Sequence, residues 1–359
     1  MNFTEQFPVL NAYTYLNTAG SGLLSKPLLD WRHSHDKEFL NQGSLYRANK
    51  DTFLQEVRSN VARFFNAEAD RTFLVPNFSC GFNIFLEGLN GPQRFLLLKE
   101  DYPSVNYPVE SRGHTCDYVE TSERLEENIL KSIRDFKPTV FAFSLVQYIS
   151  GIKIDLDFLK SLKKEFPDLL VAADGTQFCG TAAFDFQQSG IDALIASSYK
   201  WMLGGYGNGF VLLKEMAAEQ LYANAKNWPL PGEDFLQDRR TLSLYFEPGH
   251  LDTLNFGTLS NAILDLERLG MDVIEKNISR LSLKAKEAFA ARNLLSAMVL
   301  RRKQHSSIFN LDLSEAIYDR LQQKGILCTW RGTGVRVSFH FYNTDQDLHR
   351  LLEVIDQED

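Results

Sequence analysis

Short apolar runs alternate with amphipathic stretches from about residue 50 to about residue 215, and this pattern constrains the fold more than any other feature of the sequence. Arg94–Leu98, Thr139–Ser144 and Leu169–Ala173 have the length and apolar content of buried strands. Phe158–Phe166 carries its apolar residues on one face and predicts a connecting helix. Such alternation predicts a mostly parallel sheet, in which ligands bind beyond the carboxyl ends of the strands.

The composition excludes several classes of protein. With 44% hydrophobic and 23% charged residues the chain is typical of a globular enzyme, and its formal net charge of −8 argues against a nucleic-acid-binding surface. The four cysteines are widely scattered and no His-Glu-x-x-His motif occurs, so neither a disulfide framework nor a metal site is expected. No apolar run is long enough for a membrane span and the N-terminus does not resemble a signal peptide, so a cytoplasmic location is expected.

The pattern changes near residue 258. Leu259–Leu269 and Val273–Ala290 predict long helices, two short strands follow, and Asp345–Ile355 predicts a closing helix. We therefore expect a large domain over residues 16–257 and a smaller α+β domain over residues 258–359, with which residues 1–15 could pack.

Two polar residues follow neighbouring apolar runs in a way that indicates chemistry. Asp174 ends the run Leu169–Ala173, and Lys200 lies shortly after Ala193–Ala196. A lysine and a carboxylate at adjacent strand ends are what a pyridoxal phosphate enzyme needs. The lysine holds the cofactor as a Schiff base, and the acid keeps the pyridine nitrogen protonated. Either residue alone would more often be an ordinary strand-end side chain.

Further motifs in the same order give the chain a family resemblance. It resembles the class V aminotransferases, fold type I pyridoxal phosphate enzymes that include cysteine desulfurases, kynureninases and isopenicillin N epimerase. The resemblance implies an α/β fold with a mostly parallel sheet flanked by helices, plus the smaller C-terminal domain. The segments that carry it are Tyr15–Gly22, Asn77–Asn83, Glu100–Ser104, Val146–Gly151, Ser197–Lys200, Gly257–Thr258 and Val335–Thr344.

The resemblance implies where the cofactor phosphate binds. Ser79, Cys80 and Gly81 open a predicted helix after a strand, and helix N-termini bind phosphate through free backbone N–H groups and a favourable dipole. An ordinary strand–helix turn with Ser79 as the N-cap is the alternative. Ser197 and Tyr199 match positions that contact the phosphate in relatives.

The resemblance also implies roles around the cofactor ring and the substrate. Tyr102 is expected to stack on the ring, and Gln177 to contact its phenolic oxygen. Arg336 is expected to hold the substrate carboxylate, because the guanidinium group matches a carboxylate through two hydrogen bonds. Asn17 and Gln147 are the other expected substrate contacts.

Gly257 and Thr258 match a Gly-Thr pair that relatives extend to the phosphate of the neighbouring subunit. This match implies a homodimer with shared active sites. An N-cap role for Thr258 at the start of a helix is compatible with the same residue pair.

The reaction is expected to proceed through an external aldimine of an amino acid, with transamination as the leading expectation. A Cα epimerase or racemase and a kynureninase-like Cβ lyase are the alternatives. Cysteine desulfurase is less expected, because Cys328 lies in an apolar run and burial makes a thiol inert. Arg47 and Arg331 are weaker candidates for the site.

Overall fold

A computed structural model describes residues 3–233, 236 and 239–357, so residues 358–359 of the predicted small domain lie outside the described part. The strands are β1 (Thr14–Tyr15), β2 (Thr72–Val75), β3 (Arg94–Leu98), β4 (Thr115–Val119), β5 (Val140–Ser144), β6 (Leu170–Asp174), β7 (Ala193–Ser197), β8 (Gly209–Leu213), β9 (Ile308–Leu311), β10 (Ile326–Leu327), β11 (Thr329–Arg331) and β12 (Gly334–Ser338).

The helices lie mostly between these strands. They are α1 (Lys26–Gln42), α2 (Lys50–Phe65), α3 (Phe78–Glu87), α4 (Pro103–Glu110), α5 (Leu125–Phe136), α6 (Leu156–Glu165), α7 (Glu215–Gln220), α8 (Thr241–Phe246), α9 (Thr253–Leu269), α10 (Met271–Ala290), α11 (Ala297–Arg301), α12 (Glu315–Gln323) and α13 (Asp345–Ile355).

A seven-stranded sheet in the order β2-β8-β7-β6-β5-β3-β4 forms the centre of the fold. β3 to β7 are paired in parallel, and β8 runs antiparallel to both of its neighbours. Every residue of β5, β6 and β7 is buried, because helices cover both faces of the sheet. The predicted mostly parallel sheet is confirmed.

The register of the sheet brings its polar strand ends together. Ser144 at the end of β5 lies beside Asp174 at the end of β6, and Asp174 lies beside Ile195 of β7. Since these strands run in the same direction, their carboxyl ends share one edge of the sheet. Lys200 follows β7 at this same edge.

The C-terminal part of the chain forms a separate three-stranded sheet, β11-β12-β9. The N-terminal segment packs with it: β1 pairs in parallel with β10, and the ring of Phe7 lies 5.5 Å from that of Tyr342. The division into domains at residue 258, with residues 1–15 assigned to the smaller domain, stays a prediction, and residues 1–2 lie outside the described residues.

Helix α9 begins earlier than its apolar pattern predicts. It starts at Thr253 because Asp252 is the N-cap and its side chain accepts a hydrogen bond from the Asn255 N–H. An N-cap role for Thr258 is therefore wrong, since Thr258 lies in the second turn of α9. Within the described residues, no helix combines the length and the apolar character that a membrane crossing requires.

Candidate functional site

A cavity of about 420 Å³ lies at the carboxyl edge of the seven-stranded sheet. Its volume lies in the range of about 300–1,000 Å³ that is usual for small-molecule sites. The sequence-predicted residues that line it are Ser79, Cys80, Tyr102, Asp174, Gln177, Ser197, Tyr199 and Lys200. Asn77, Ser144, Tyr148, Thr176 and Tyr206 also line it.

Lys200 presents a buried amine to this cavity. Its side chain is only 8% exposed, and within the described chain its Nζ atom forms no hydrogen bond or ion pair. Burial lowers the pKa of Lys200 to about 8, although the carboxylate of Asp174 opposes this effect. About a tenth of this amine is therefore neutral at pH 7 and about half at pH 8, and the neutral form is the one that acts as a nucleophile or a base.

Asp174 is a buried carboxyl group in the same cavity. Its Oδ1 accepts a hydrogen bond of 2.8 Å from the Thr176 N–H. Burial raises the pKa of Asp174 to about 6, while the Thr176 hydrogen bonds and the charge of Lys200 act to lower it. A cationic N–H placed beside this carboxylate would stabilise its charged form, so Asp174 fits a protonated ring nitrogen.

The N-terminus of α3 provides hydrogen-bond donors at another side of the cavity. The Phe78 N–H donates to Ser197 Oγ at 2.8 Å, and the Cys80 N–H donates to the N-cap side chain of Asn77 at 2.9 Å. The amide and hydroxyl groups of Ser79 have no partner in the described chain, and the Ser197 hydroxyl can still donate its proton. These groups fit a phosphate at a helix N-terminus.

The structure refines the expected roles of three residues in this turn. Asn77, not Ser79, is the N-cap of α3, so the alternative role of Ser79 is wrong. Cys80 is exposed and lines the cavity. Gly81 does not line it: an added Cβ at Gly81 would lie 2.9 Å from Val211 and 3.0 Å from Ile195. Its small size instead allows α3 to pack closely on the sheet.

Aromatic rings surround the amine of Lys200. Its Nζ atom lies 5.9 Å from the ring centroid of Tyr102 and 5.4 Å from that of Tyr199. Tyr102 contacts the ring edge of Tyr148, and Tyr199 stacks on Tyr206 with centroids 4.8 Å apart. Burial raises the pKa of Tyr199 to about 12, so its hydroxyl stays protonated and can donate a hydrogen bond.

Arg336 lies on β12 and is only 3% exposed; it is not among the residues that line the cavity, but it lies near the lining residues Tyr102, Tyr148 and Tyr199. One of its terminal N–H groups donates to the Tyr148 carbonyl oxygen at 2.7 Å, whereas its Nε atom is buried without a partner. Burial and the nearby Arg331 lower the pKa of Arg336 to about 10. Within the described chain no carboxylate pairs with this guanidinium, so it can bind the carboxylate of a ligand.

Two expected substrate contacts are engaged within the protein. Gln147 does not line the cavity, because its side-chain oxygen accepts the N–H groups of Ile149 at 2.7 Å and Ser150 at 2.6 Å. The expected role of Gln147 is therefore corrected: it caps the turn that carries Tyr148. Asn17 also lies outside the cavity lining, and its side-chain oxygen accepts a hydrogen bond of 2.7 Å from the Thr329 hydroxyl.

Gln177 lines the cavity but is largely committed to the protein. Its amide nitrogen donates to the Ala19 carbonyl oxygen at 3.0 Å, and its oxygen accepts the indole N–H of Trp201 at 2.7 Å. One amide hydrogen remains for the expected contact with a cofactor oxygen.

Thr258 is fully buried within the described chain, so its expected reach toward a neighbouring subunit is not found. Its hydroxyl donates to the Leu254 carbonyl oxygen at 2.7 Å and accepts a hydrogen bond of 2.8 Å from Arg32. Helix α1 covers this position, since an added Cβ at Gly257 would lie 2.1 Å from the Trp31 ring. Of the weaker candidates, Arg331 lies close enough to lower the pKa of Lys200, whereas Arg47 is exposed and contacts His250.

Sequence reasoning missed Asp101. This buried carboxylate accepts the backbone N–H groups of Tyr102 and Ser144, each at 2.7 Å, and so ties together the ends of β3 and β5. Burial raises the pKa of Asp101. Its position shortly after the end of β3 and directly before Tyr102 is the sequence feature from which a role for Asp101 could have been predicted.

The model of the family described as aminotransferase class-V matches residues 15–351. The uncharacterized aminotransferase YcbU of Bacillus subtilis is 21% identical, over 98% of this chain and 96% of its own length.

Solved structures share the fold at low sequence identity. The apo cysteine desulfurase from Thermococcus onnurineus NA1 has a TM-score of 0.83 at 18% identity, covering 98% of this chain and 96% of its own. The complex of the cystine C–S lyase C-DES with cysteine persulfide has a TM-score of 0.82 at 17% identity, and the match covers 98% of this chain and 99% of the C-DES chain. The predicted fold is confirmed.

Proposed function

This chain belongs to the class V aminotransferase family, and on that premise we propose that it transfers the amino group of an α-amino acid to a keto acid. Members of this family are enzymes that depend on pyridoxal 5′-phosphate. The transfer of the amino group is the finer step that we infer, and it rests on the side chains of the cavity.

The residues of the cavity fit this cofactor. Lys200 would attach it, Asp174 would hold its ring nitrogen, and Ser79 with Ser197 would bind its phosphate. When bound, the cofactor withdraws electrons from the Cα atom of the amino acid and so makes the Cα proton acidic. The aromatic ring of Tyr102 is the group that would cover its face.

Lys200 is the residue that would accept and return the proton. Its pKa of about 8 allows the neutral amine to take a proton at neutral pH and to give it back as the ammonium. Within the described cavity, the other titratable groups are the carboxyl of Asp174, the thiol of Cys80 and tyrosine hydroxyls. Transamination needs only one such base, which would take the proton from Cα and return it to the carbon on the other side of the amino nitrogen.

Arg336 would orient the amino acid. Two N–H groups of a guanidinium bind a carboxylate in one plane, which fixes the direction of the Cα–H bond. Because this guanidinium is buried without a carboxylate in the described chain, binding of the substrate carboxylate would also compensate its buried charge. The unpaired Arg336 beside the amine of Lys200 is the single observation that carries the proposal.

A second candidate reaction is elimination of a sulfur group from Cβ. It is favoured by the likeness to C-DES, which is itself a cystine C–S lyase. A desulfurase that uses its own cysteine as nucleophile is less favoured, because Cys328 is buried and burial raises its pKa to about 12. Cys80 is the cysteine that lines the cavity, and it lies at the helix end proposed for the phosphate.

The homodimer implied by the resemblance stays a prediction. Several large apolar side chains of α1 and the following segment are exposed in the described chain, including Phe39, Leu40 and Leu45, and a second subunit could cover them. Sedimentation over a range of protein concentrations measures the oligomeric state directly.

A panel of amino acids tests the reaction. The protein is loaded with pyridoxal phosphate and incubated with each L-amino acid, with and without a keto acid acceptor, and the products are quantified. Transamination predicts a new keto acid and a new amino acid in equal amounts, formed only with the acceptor. Lys200→Ala is the control that should form neither.

Other products would overturn the proposal in defined ways. Pyruvate with sulfide from cysteine, or pyruvate with cysteine persulfide from cystine, each formed without an acceptor, would identify the elimination. Alanine from kynurenine would identify a kynureninase-like lyase, and a D-amino acid would identify an epimerase. Cys80→Ala and Cys328→Ala variants then separate a desulfurase, which would lose sulfide formation with one of them, from a lyase without a cysteine nucleophile.

A further inference from the structure

A second cavity of about 450 Å³ lies on the far side of the segment that follows β5. It is bounded by that segment, by the loop after β6, by helix α10 and by the strand-like segment before β9. Val146 lines both cavities, but Lys200 and Asp174 line only the first. The second cavity is therefore a separate space with its own side chains.

Positive charge dominates the lining of this second cavity. Lys153, Lys286 and Lys303 line it, and Glu275 is the carboxylate among its described lining residues. Burial lowers the pKa values of Lys153 and Lys286, and Glu275 and Asp155 oppose this effect at Lys153. The Nζ atom of Lys153 lies 5.0 Å from the ring centroid of Phe178, and Lys286 donates one hydrogen bond, to the Arg302 carbonyl oxygen at 2.8 Å.

Two of the residues that line this cavity, Ser307 and Arg302, carry buried polar atoms without partners. Ser307 lines the cavity and is only 3% exposed, yet its hydroxyl has no hydrogen-bond partner. The Nε atom of the buried Arg302 is also unpartnered. Since a buried donor without a partner costs about 1–3 kcal/mol, such groups indicate a place where a ligand completes the hydrogen bonding.

We propose that this second cavity is a binding site for a small molecule that carries a phosphate group. Lys153 and Lys286 supply the opposing charge, Ser307 supplies a buried hydroxyl donor, and Lys303 lies at the exposed side. His305 also lines the cavity, but its two ring nitrogens already contact the carbonyl oxygens of Ser306 and Ser150.

The kind of donor favours phosphate over carboxylate. A planar carboxylate is best bound by the two terminal nitrogens of an arginine guanidinium. In Arg302 both of these nitrogens already donate to the carboxylate oxygens of Glu126, at 2.6 and 2.7 Å. The remaining donors are ammonium and hydroxyl groups, which bind a tetrahedral anion from several directions without a common plane.

Inorganic phosphate is the probe for this site. The protein is first loaded with pyridoxal phosphate, so that the phosphate site of the first cavity is filled, and it is then titrated calorimetrically at constant ionic strength set with chloride. We expect saturable binding of one phosphate per chain without loss of the visible absorbance of the bound cofactor. Lys286→Gln and Ser307→Ala should each weaken this binding by about tenfold or more.

Lys276→Gln is the matched control, because Lys276 is an exposed residue of the same helix α10 that does not line the cavity. This variant loses the same charge as Lys286→Gln and should bind phosphate like the unchanged protein. Lys153→Gln provides an independent variant on a different segment, and circular dichroism checks that each variant is folded.

Three results would overturn the proposal. One is the absence of saturable phosphate binding to the loaded protein, and a second is equal weakening by Lys276→Gln and Lys286→Gln, which would indicate unspecific attraction. The third is tighter binding of succinate than of phosphate, which would replace the ligand class with dicarboxylates. None of these measurements depends on turnover, so failure of the proposed reaction leaves this test intact.

Discussion

Replacing Arg336 with methionine should abolish efficient catalysis and still leave the protein as stable as before or more stable. The ordinary pKa of arginine, 12.5, falls to about 10 at Arg336 because the guanidinium is buried. At about 1.36 kcal/mol per pH unit, this fall corresponds to a cost of about 3 kcal/mol for keeping the charge in the folded protein. Because folding lowers the pKa of a cation, the cost is fully present below about pH 10 and is relieved as the pH rises toward 12.5.

Methionine removes this cost and also removes the hydrogen bond to the Tyr148 carbonyl oxygen. A hydrogen bond from a charged donor contributes about 1.5–3 kcal/mol, so the variant should gain between about 0 and 2 kcal/mol in the free energy of unfolding. In the same variant, loss of two charge-assisted bonds to a substrate carboxylate should lower kcat/KM by about 10² to 10⁴-fold.

Arg302→Met is the matched comparison. Arg302 is 5% exposed, close to the 3% of Arg336, but it is paired with Glu126 at 2.6 Å. Removing it leaves a carboxylate without its partner, which should lower the free energy of unfolding by about 3–5 kcal/mol. Urea denaturation of both variants measures the difference. If Arg336→Met is destabilised as much as Arg302→Met, Arg336 is a structural residue and our reasoning about the substrate carboxylate fails.

Three further predictions follow from particular contacts. The rate of covalent attachment of pyridoxal phosphate to the apoprotein should rise about tenfold per pH unit below pH 8 and level off above it. The reason is that the pKa of Lys200 is about 8 and only its neutral amine reacts. A rate that is independent of pH between 6 and 8 would contradict this. Gly22→Ala should cost about 1–3 kcal/mol of stability and weaken cofactor retention, because the added Cβ would lie 2.1 Å from the Lys200 carbonyl oxygen. Cys328→Ala should keep product formation within about twofold, since burial makes this thiol inert, and a hundredfold loss would reveal a nucleophilic role.

The sequence allowed the framework of the site to be predicted because its strands are short apolar runs with polar ends. The run before Asp174 became β6 with a shift of one residue, and Lys200 follows β7 as expected. Strand direction then places both residues at one edge of the sheet, since parallel strands end on the same side. No knowledge of individual side-chain contacts is needed for this step.

Side-chain direction could not be predicted in the same way. The amide of Gln147 had two possible partners, a ligand or the backbone of its own turn, and the local N–H groups of Ile149 and Ser150 are the partners found in the structure. Thr258 was expected near a helix start, but Asp252 is the N-cap of α9. The helix therefore begins at Thr253, and Thr258 is a buried residue of its second turn. Such competition between nearby partners leaves no periodic signal in a sequence.

The arrangement of the seven-stranded sheet has a consequence for how this protein is made in the cell. The cavity combines residues from Pro76 to Gly207, which follow five strands that are far apart along the chain, so the cavity exists only after these strands have paired. During synthesis, the emerging chain therefore has no complete cofactor site until β8 has been released and joined to β2 and β7. Cofactor capture thus occurs late, and at 100 times its dissociation constant the cofactor would add about 2.7 kcal/mol to the stability of the newly completed sheet.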